Sequence, residues 1–258
     1  MWGKLHVVIK RLEECVADVQ SWMTTNNLKL NKNKSEFVLL RSRAMLNKLL
    51  QSVLTFGNSY LHPKESCRNL GVTIDANMTL ADHISGISRS VRFQLRNLSH
   101  IRKFLTRRAT EYVVHSLISS RLDFCDALLF NLPDYQLCRL QRLQNSVARL
   151  VTLTKTVSHI SHVLRSLRWL PVRERVLFEI LLLVFQSLNG TSSSYIEELI
   201  QPYQQARQLR STNTGLLGVP RTQHSWGNRA FSLAGPSLWN TLPLAFVNWH
   251  HISNSRLG

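Results

Sequence analysis

Acidic residues are scarce in this chain. Asp and Glu number 15 against 32 Lys and Arg, a formal net charge of +17 over 258 residues. After Glu198 there is no Asp or Glu at all, while Arg207, Arg210, Arg221, Arg229 and Arg256 continue the basic excess. Few carboxylate pairs are therefore on hand for metal or acid–base chemistry. Cysteine is sparse too: Cys15, Cys67, Cys125 and Cys138 form no C-x-x-C spacing, which implies free thiols in a reducing compartment. Long apolar runs are missing. The longest, Ile180 to Phe185, falls far short of the roughly 20 residues that span a bilayer. It reads as a buried helix segment, and the charged, amphipathic N-terminal stretch does not read as a cleavable signal. No Gly-rich phosphate loop, no G-x-S-x-G elbow and no repeat of fixed period occurs.

What is present is positive charge on a chain able to fold. Hydrophobic residues make up 44% of it, enough for a real core and too many for wholesale disorder. The basic excess is spread along the chain rather than held in a tail. It points to a polyanionic partner, nucleic acid first and an anionic membrane surface second.

Apolar spacing divides the chain. Leu5, Ile9, Leu12, Val16, Val19 and Met23 recur at steps of three and four, one stripe on a helix that Asn26-Asn27 can end. Glu36 to Arg41 suits a buried strand. Val53 to Phe56, a turn at Gly57-Asn58-Ser59 and Tyr60-Leu61 suit a hairpin, and Leu70 to Ile74 another strand. From Thr79 the pattern turns helical. Ile84, Ile87, Val91, Leu98, Ile101 and Leu105 line one helix to about Phe104, and a second runs from Thr106 to Leu122. Pro133-Asp134 opens a third, with Asp134 as N-cap and Leu137, Leu140, Leu143, Val147, Leu150 and Val151 inward. Pro171 precedes a fourth that stops at Asn189-Gly190. Beyond Gln201 the pattern breaks into Gly, Pro, Ser and scattered aromatics, ordered by Trp226, Phe231 and Trp239. The expected fold class is α+β, mainly α.

Several segments carry a family resemblance. WMTTNNLKLNKNKSE (Trp22 to Glu36) followed by NLGVTID (Asn69 to Asp75) resembles the end of the palm domain in reverse transcriptases of LINE-type, non-LTR (jockey-like) retrotransposons. SRLDFCDALL (Ser120 to Leu129) is similar to that family's S-R-L-D-[YF]-C-N-x-L, with Asp126 where Asn is usual. LQRLQNSVARLV (Leu140 to Val151), LRWLPVRER (Leu167 to Arg175) and GNRAFSLAGPSLWNTLP (Gly227 to Pro243) resemble three further blocks, in family order, with Val147 and Gly235 replacing alanines.

The resemblance implies four regions: the end of a palm with a primer-grip-like hairpin over 1–76, a helical thumb-like region over 77–131, a helical C-terminal region over 132–200 and an irregular basic tail over 201–258. It implies that Lys34 is the loop lysine that approaches the incoming triphosphate, and that Leu70, Gly71 and Val72 form the primer-grip turn. A thumb-like helix would lay Arg89, Arg92, Arg96, Arg102 and Lys103 along the phosphates of an RNA, DNA or hybrid duplex without reading sequence.

The catalysis of such a lineage needs two carboxylates holding Mg²⁺ ions about 3.5–4 Å apart. The acid pairs here are Glu13-Glu14, Glu197-Glu198, Asp123 with Asp126 and Asp75 with Asp82. They read as surface charge or helix caps. No catalytic residue is expected in this chain. The family's metal-binding acids are expected before residue 1, so Mg²⁺ belongs to the intact family enzyme and no cofactor to this chain. The C-terminal HHISNSRLG departs from the family's continuation, and the expectation is a truncated chain without polymerase activity of its own. Cys125, Cys138, His159 and His162 fit no common zinc spacing. Trp169, Trp226, Phe231 and Trp239 suit core packing or base stacking. Two rival readings stand beside the first: a retrotransposon relic whose incomplete palm exposes apolar faces, and a domesticated helical module that binds protein through residues 134–190.

Overall fold

In a computed structural model the described residues are 2–31, 34–40, 53–56, 59–203, 215–222 and 227–243. They form a mainly helical α+β chain with two small antiparallel sheets. The chain divides into two compact units, Met1–His83 and Ile84–Gly258.

The first unit opens with helix α1 (Trp2–Thr25). It ends on Asn27, which sits at φ 56°, with the Leu28 amide donating to the Met23 carbonyl at 2.7 Å and Asn27 to Thr24 at 3.1 Å. That pair of bonds is the Schellman arrangement, and Asn tolerates its left-handed position better than most residues. Strands β1 (Leu54–Phe56) and β2 (Ser59–Leu61) form one hairpin, with Phe56 opposite Ser59. The connecting Gly57 and Asn58 lie outside the described residues. Strands β3 (Ser66–Asn69) and β4 (Val72–Asp75) form the other, with Asn69 opposite Val72.

Only Phe37, Leu54, Val72, Ala76 and Leu80 form the apolar core of this unit among the described residues. The apolar stripe of α1 is only partly covered: Leu12 and Val19 are exposed, Ile9, Val16 and Met23 are half-buried, and Val7 and Trp22 beside it are exposed. A polar bond ties α1 to β1, the Glu13 carboxylate accepting from the Thr55 amide at 2.7 Å.

Two strand expectations change here. Glu36 to Arg41 contributes a single parallel bridge, Phe37 with Pro63, rather than a strand. Proline has no N–H, so the ladder stops where it starts; Arg41 lies outside the described residues. Leu70 and Gly71 do not extend β4 but turn the chain into it.

Helix α2 (Ala81–Ile101) begins two residues after Thr79. Asp75 prepares that start: its carboxylate accepts from the amides of Asn77, Thr79 and Leu80 and from the Thr79 hydroxyl, at 2.7–3.1 Å.

In the second unit α2 buries Ile84, Ser88, Val91 and Leu98. A 3₁₀ turn over Arg102–Phe104 leads to α3 (Arg107–Val114), whose N-cap hydroxyl, Thr106, accepts from the Ala109 amide at 3.2 Å. The expected helix from Thr106 to Leu122 is thus interrupted: a π turn occupies His115–Ser119 before one last turn at Ser120–Leu122.

Helix α4 (Asp134–Thr152) buries Leu137, Leu140, Leu143, Val147 and Val151 on the predicted side. Asp134 proves to be its first helical residue rather than its N-cap, and its carboxylate pairs with Arg173. Helix α5 (Ile160–Ser166) lays Val163 and Leu164 against Ala148, with Trp169 at the margin. Helix α6 (Val172–Leu188) ends at Asn189, with Gly190 at φ 62° and the Thr191 amide reaching back to the Gln186 carbonyl at 3.0 Å. A short α7 (Ser194–Glu197) follows, and among the described residues beyond it the helical elements are a 3₁₀ turn at Gly227–Arg229 and α8 (Phe231–Trp239). Val184, Ile200, Leu217 and Trp239 close a common core there. Trp226 lies outside the described residues.

Candidate nucleic-acid interface

In the first unit, the two segments that carry the polymerase resemblance lie beside each other. The Asn31 carbonyl accepts from the Lys34 amide and the Ser35 hydroxyl, both at 3.1 Å. Glu36 then reaches across, accepting from the Lys64 ammonium at 2.7 Å and the Arg68 amide at 3.3 Å. The Lys64 hydrogen bond, the Arg68 amide and the positive charge of Lys64 hold the Glu36 carboxyl below its ordinary range. This bridge brings the Lys34 loop alongside β3 and leaves Lys34 exposed.

At the far end of that hairpin, Leu70 and Gly71 are the two turn residues, at φ 46° and 91°. Positive φ at both central positions belongs to the I′ turn, whose twist matches the strands it joins. Glycine takes such a position without cost, whereas leucine does not. Leu70 also stands 87% exposed, while Val72 is buried beneath the turn.

In the second unit, Arg89, Arg92 and Arg96 follow one another at three and four residues on α2, and all three are exposed. Phe93, also exposed, lies among them. The basic surface continues past the helix. Lys103 sits 4.9 Å from the centre of the Phe104 ring, and the Arg108 guanidinium 5.6 Å from that of Tyr112, whose hydroxyl accepts from it at 3.1 Å. Arg107 pairs with Glu111 at 3.0 Å. Phe93, Phe104, Arg107, Arg108 and Tyr112 were not among the residues singled out by sequence. A K-F pair and an R-x-x-x-Y step were the signals that could have found them.

Arg102 departs from the expectation. It is only 7% exposed, and its guanidinium turns inward. Nε donates to the Leu150 carbonyl at 2.9 Å, one Nη to Val151 at 2.8 Å and the other to Leu105 at 2.8 Å. Two of those carbonyls belong to the last turn of α4, which has no intrahelical donors for them. Arg102 is a helix cap, and its five donors and planar fork suit it to that work. Its hydrogen bonds are spent inside the fold, so it does not join the exposed basic face.

The carboxylates do not fit a two-metal site. Asp75 is engaged at the start of α2 and Glu13 at β1. Burial works to raise the Asp75 carboxyl, but the donors from Thr79, Leu80 and Asn77 hold it below the ordinary range. Asp123 and Asp126 do not share a face, because Cys125 between them is left-handed at φ 57°. Asp123 pairs with Arg175 at the surface, whereas Asp126 is buried. Burial, and then the charge of Glu179, push the Asp126 carboxyl up to about 6. Glu197 and Glu198 are neighbours at the end of α7. Among the described residues no three His, Cys, Asp or Glu side chains gather to hold a metal ion.

The sequence blocks of the second unit do something else: they bind to one another. Gln141 Oε1 accepts from the Val172 amide at 2.8 Å, and Gln144 Nε2 donates to the Leu170 carbonyl at 2.8 Å, joining LQRLQN to LRWLPV. Arg175 joins the same block to Asp123 of SRLDFCD. Arg229 of GNRAFS donates to the Leu128 carbonyl of that segment at 2.9 Å. Within the last block Asn240 exchanges two 2.9 Å bonds with the Leu217 backbone, and the Trp239 indole donates to the Gly215 carbonyl at 3.2 Å. Trp169, Phe231 and Trp239 are therefore packing residues here. No helix among the described residues is long and apolar enough to cross a membrane. No protein-family model, curated protein or solved structure matches the chain.

Proposed function

We propose that this chain corresponds to the part of a LINE-type reverse transcriptase that follows the catalytic acids, and that it contacts nucleic acid through phosphates without reading sequence. The observation that carries the reading is the exposed basic face of Arg89, Arg92, Arg96 and Lys103, on a helical unit whose motif blocks are joined by their own side chains. The motif residues build the scaffold, and the scaffold presents the cations. Lys34 and the Leu70-Gly71 turn are the fittings of the first unit that would face a triphosphate and a primer. Asp75 and Glu13 hold backbone amides, Glu36, Glu111, Asp123 and Asp134 pair with basic side chains, and Asp126 lies on a different face from Asp123, so the chain alone is proposed to lack polymerase activity.

The test uses the full chain, an RNA–DNA primer–template, Mg²⁺ and all four deoxynucleotides. The expected result is a gel shift that weakens by orders of magnitude between about 50 and 200 mM salt, with no primer extension. Extension above a buffer control would overturn the absence of activity. A missing or salt-insensitive shift would overturn the binding.

A further inference from the structure

The cations of the second unit do not stand alone on the surface. Within ten residues, Lys103 to Tyr112, the chain exposes two aromatic rings, and each has a cation of its own. Phe104 is 77% exposed with Lys103 at 4.9 Å; Tyr112 is 62% exposed with Arg108 at 5.6 Å and bonded to its hydroxyl at 3.1 Å. A third ring, Phe93, is exposed among the α2 arginines. Other aromatics are exposed as well, Trp22 and Tyr135 among them, but Phe104 and Tyr112 each carry a cation at the ring, which phosphate binding alone does not ask for. Of the aromatics the sequence offered for stacking, Trp239 is buried in a core and Trp169 is half-buried against one.

From this interleaving we infer that the corner from Lys103 to Tyr112 is a stacking platform for the unpaired bases of a single-stranded nucleic acid. Every base offers a π face and each nucleotide a phosphate, so alternating rings and cations match a single strand whatever its sequence. A duplex hides its base faces and can use only the cations. An anionic lipid surface is the other polyanion with apolar depth, but sinking these rings would drag Lys103, Arg108 and the Arg107–Glu111 pair beneath the headgroups. The inference rests on the nucleic-acid reading proposed above and adds its preferred form.

The experiment measures anisotropy of the full chain with three labelled probes: oligo(dT) of about twenty nucleotides, an abasic backbone of equal length, and a duplex. Phe104→Ala and Tyr112→Ala are each expected to weaken oligo(dT) binding roughly tenfold, and to leave abasic and duplex binding and the salt slope unchanged. Phe104→Trp keeps wild-type affinity. Both positions are exposed, and circular dichroism of each variant verifies that the helices persist. Unchanged oligo(dT) binding in the alanine variants overturns the platform while leaving the phosphate reading intact. An equal loss on the abasic probe overturns it too. Binding of no probe overturns both. Sedimentation with phosphatidylserine vesicles that is lost in the same variants, with oligonucleotide binding retained, reassigns the surface to lipid.

Discussion

Arg102 illustrates how little a residue type says about its task. It lies one position from Lys103 and six from Arg96, yet it is the cation that the fold consumes. Replacing it with Ala leaves the Leu150 and Val151 carbonyls without a donor inside the protein. Arg102→Ala is expected to destabilise the helical unit by about 2–4 kcal/mol, and Arg102→Lys to recover only part, because lysine cannot span three carbonyls. Urea unfolding followed by circular dichroism measures both. Equal stability of Arg102→Ala and wild type would refute the capping role. Asp126 gives the opposite case, a charge that the fold tolerates poorly. Its folded pKa of about 6 lies above the usual carboxylate value, so the folded state holds its proton longer than the unfolded state does. Its contribution is therefore most favourable below pH 4, declines as pH rises toward 6, and is flat above. The resembled segment has Asn at this position. Asp126→Asn is expected to be more stable than the wild type at pH 7 by about 1–2 kcal/mol, with the difference vanishing near pH 4. A difference that does not vary with pH would show that the carboxyl titrates normally. The readout is the difference between the two proteins, because Glu36 and Asp75 have lowered pKa values and act in the opposite sense.

At the scale of elements, α8 packs on α6 through a close approach at Gly235. A Cβ on this glycine would come within 2.8 Å of Val184 Cγ2. The resembled pattern has alanine there, and in this chain Val184 crowds the position. Gly235→Ala is expected to cost about 1–3 kcal/mol through overpacking. Combined with Val184→Ala, which opens room at that contact, it should cost less than the two single changes added together. Thermal melts of the four proteins of this cycle decide it, and strict additivity would mean that the two helices do not meet there. The same helix shows where sequence reading stops. Helices α2, α4 and α6 were legible, because their apolar residues keep helical spacing between clear stops such as Asn189-Gly190. Helix α8 carries Gly235 and Pro236 in its interior, and it is packing on Val184, Ile200 and Leu217 that favours it, not local propensity. The Phe37–Pro63 bridge failed as a strand for a reason visible only once Pro63 is its partner. The inward turn of Arg102 depends on residues 48 and 49 positions away. The exposed basic face was legible as spacing, but the exposure of Phe104 and Tyr112 was not, since an aromatic in a helical stretch is more often core. In the first unit the described residues of α1 contribute nothing fully buried. The apolar stripe was legible as a helix, and Leu12 and Val19 on it stand exposed.

Over the whole molecule, the excess of cations is the dominant property, and it sets the form of any nucleic-acid binding. Fifteen acids, several of them engaged in caps and ion pairs, cannot offset 32 basic residues. The resulting field favours a polyanion before any contact is made. Binding of this kind is driven by release of counterions and leaves a quantitative mark, the slope of log affinity against log salt. The decisive measurement is that slope for the full chain on an RNA–DNA hybrid, compared with Arg89→Glu/Arg92→Glu/Arg96→Glu. A steep negative slope is expected for the wild type, made shallower by about three units in the triple variant. Tight binding with a flat slope, or an unchanged slope in the variant, would contradict the assignment of this face to nucleic-acid phosphates.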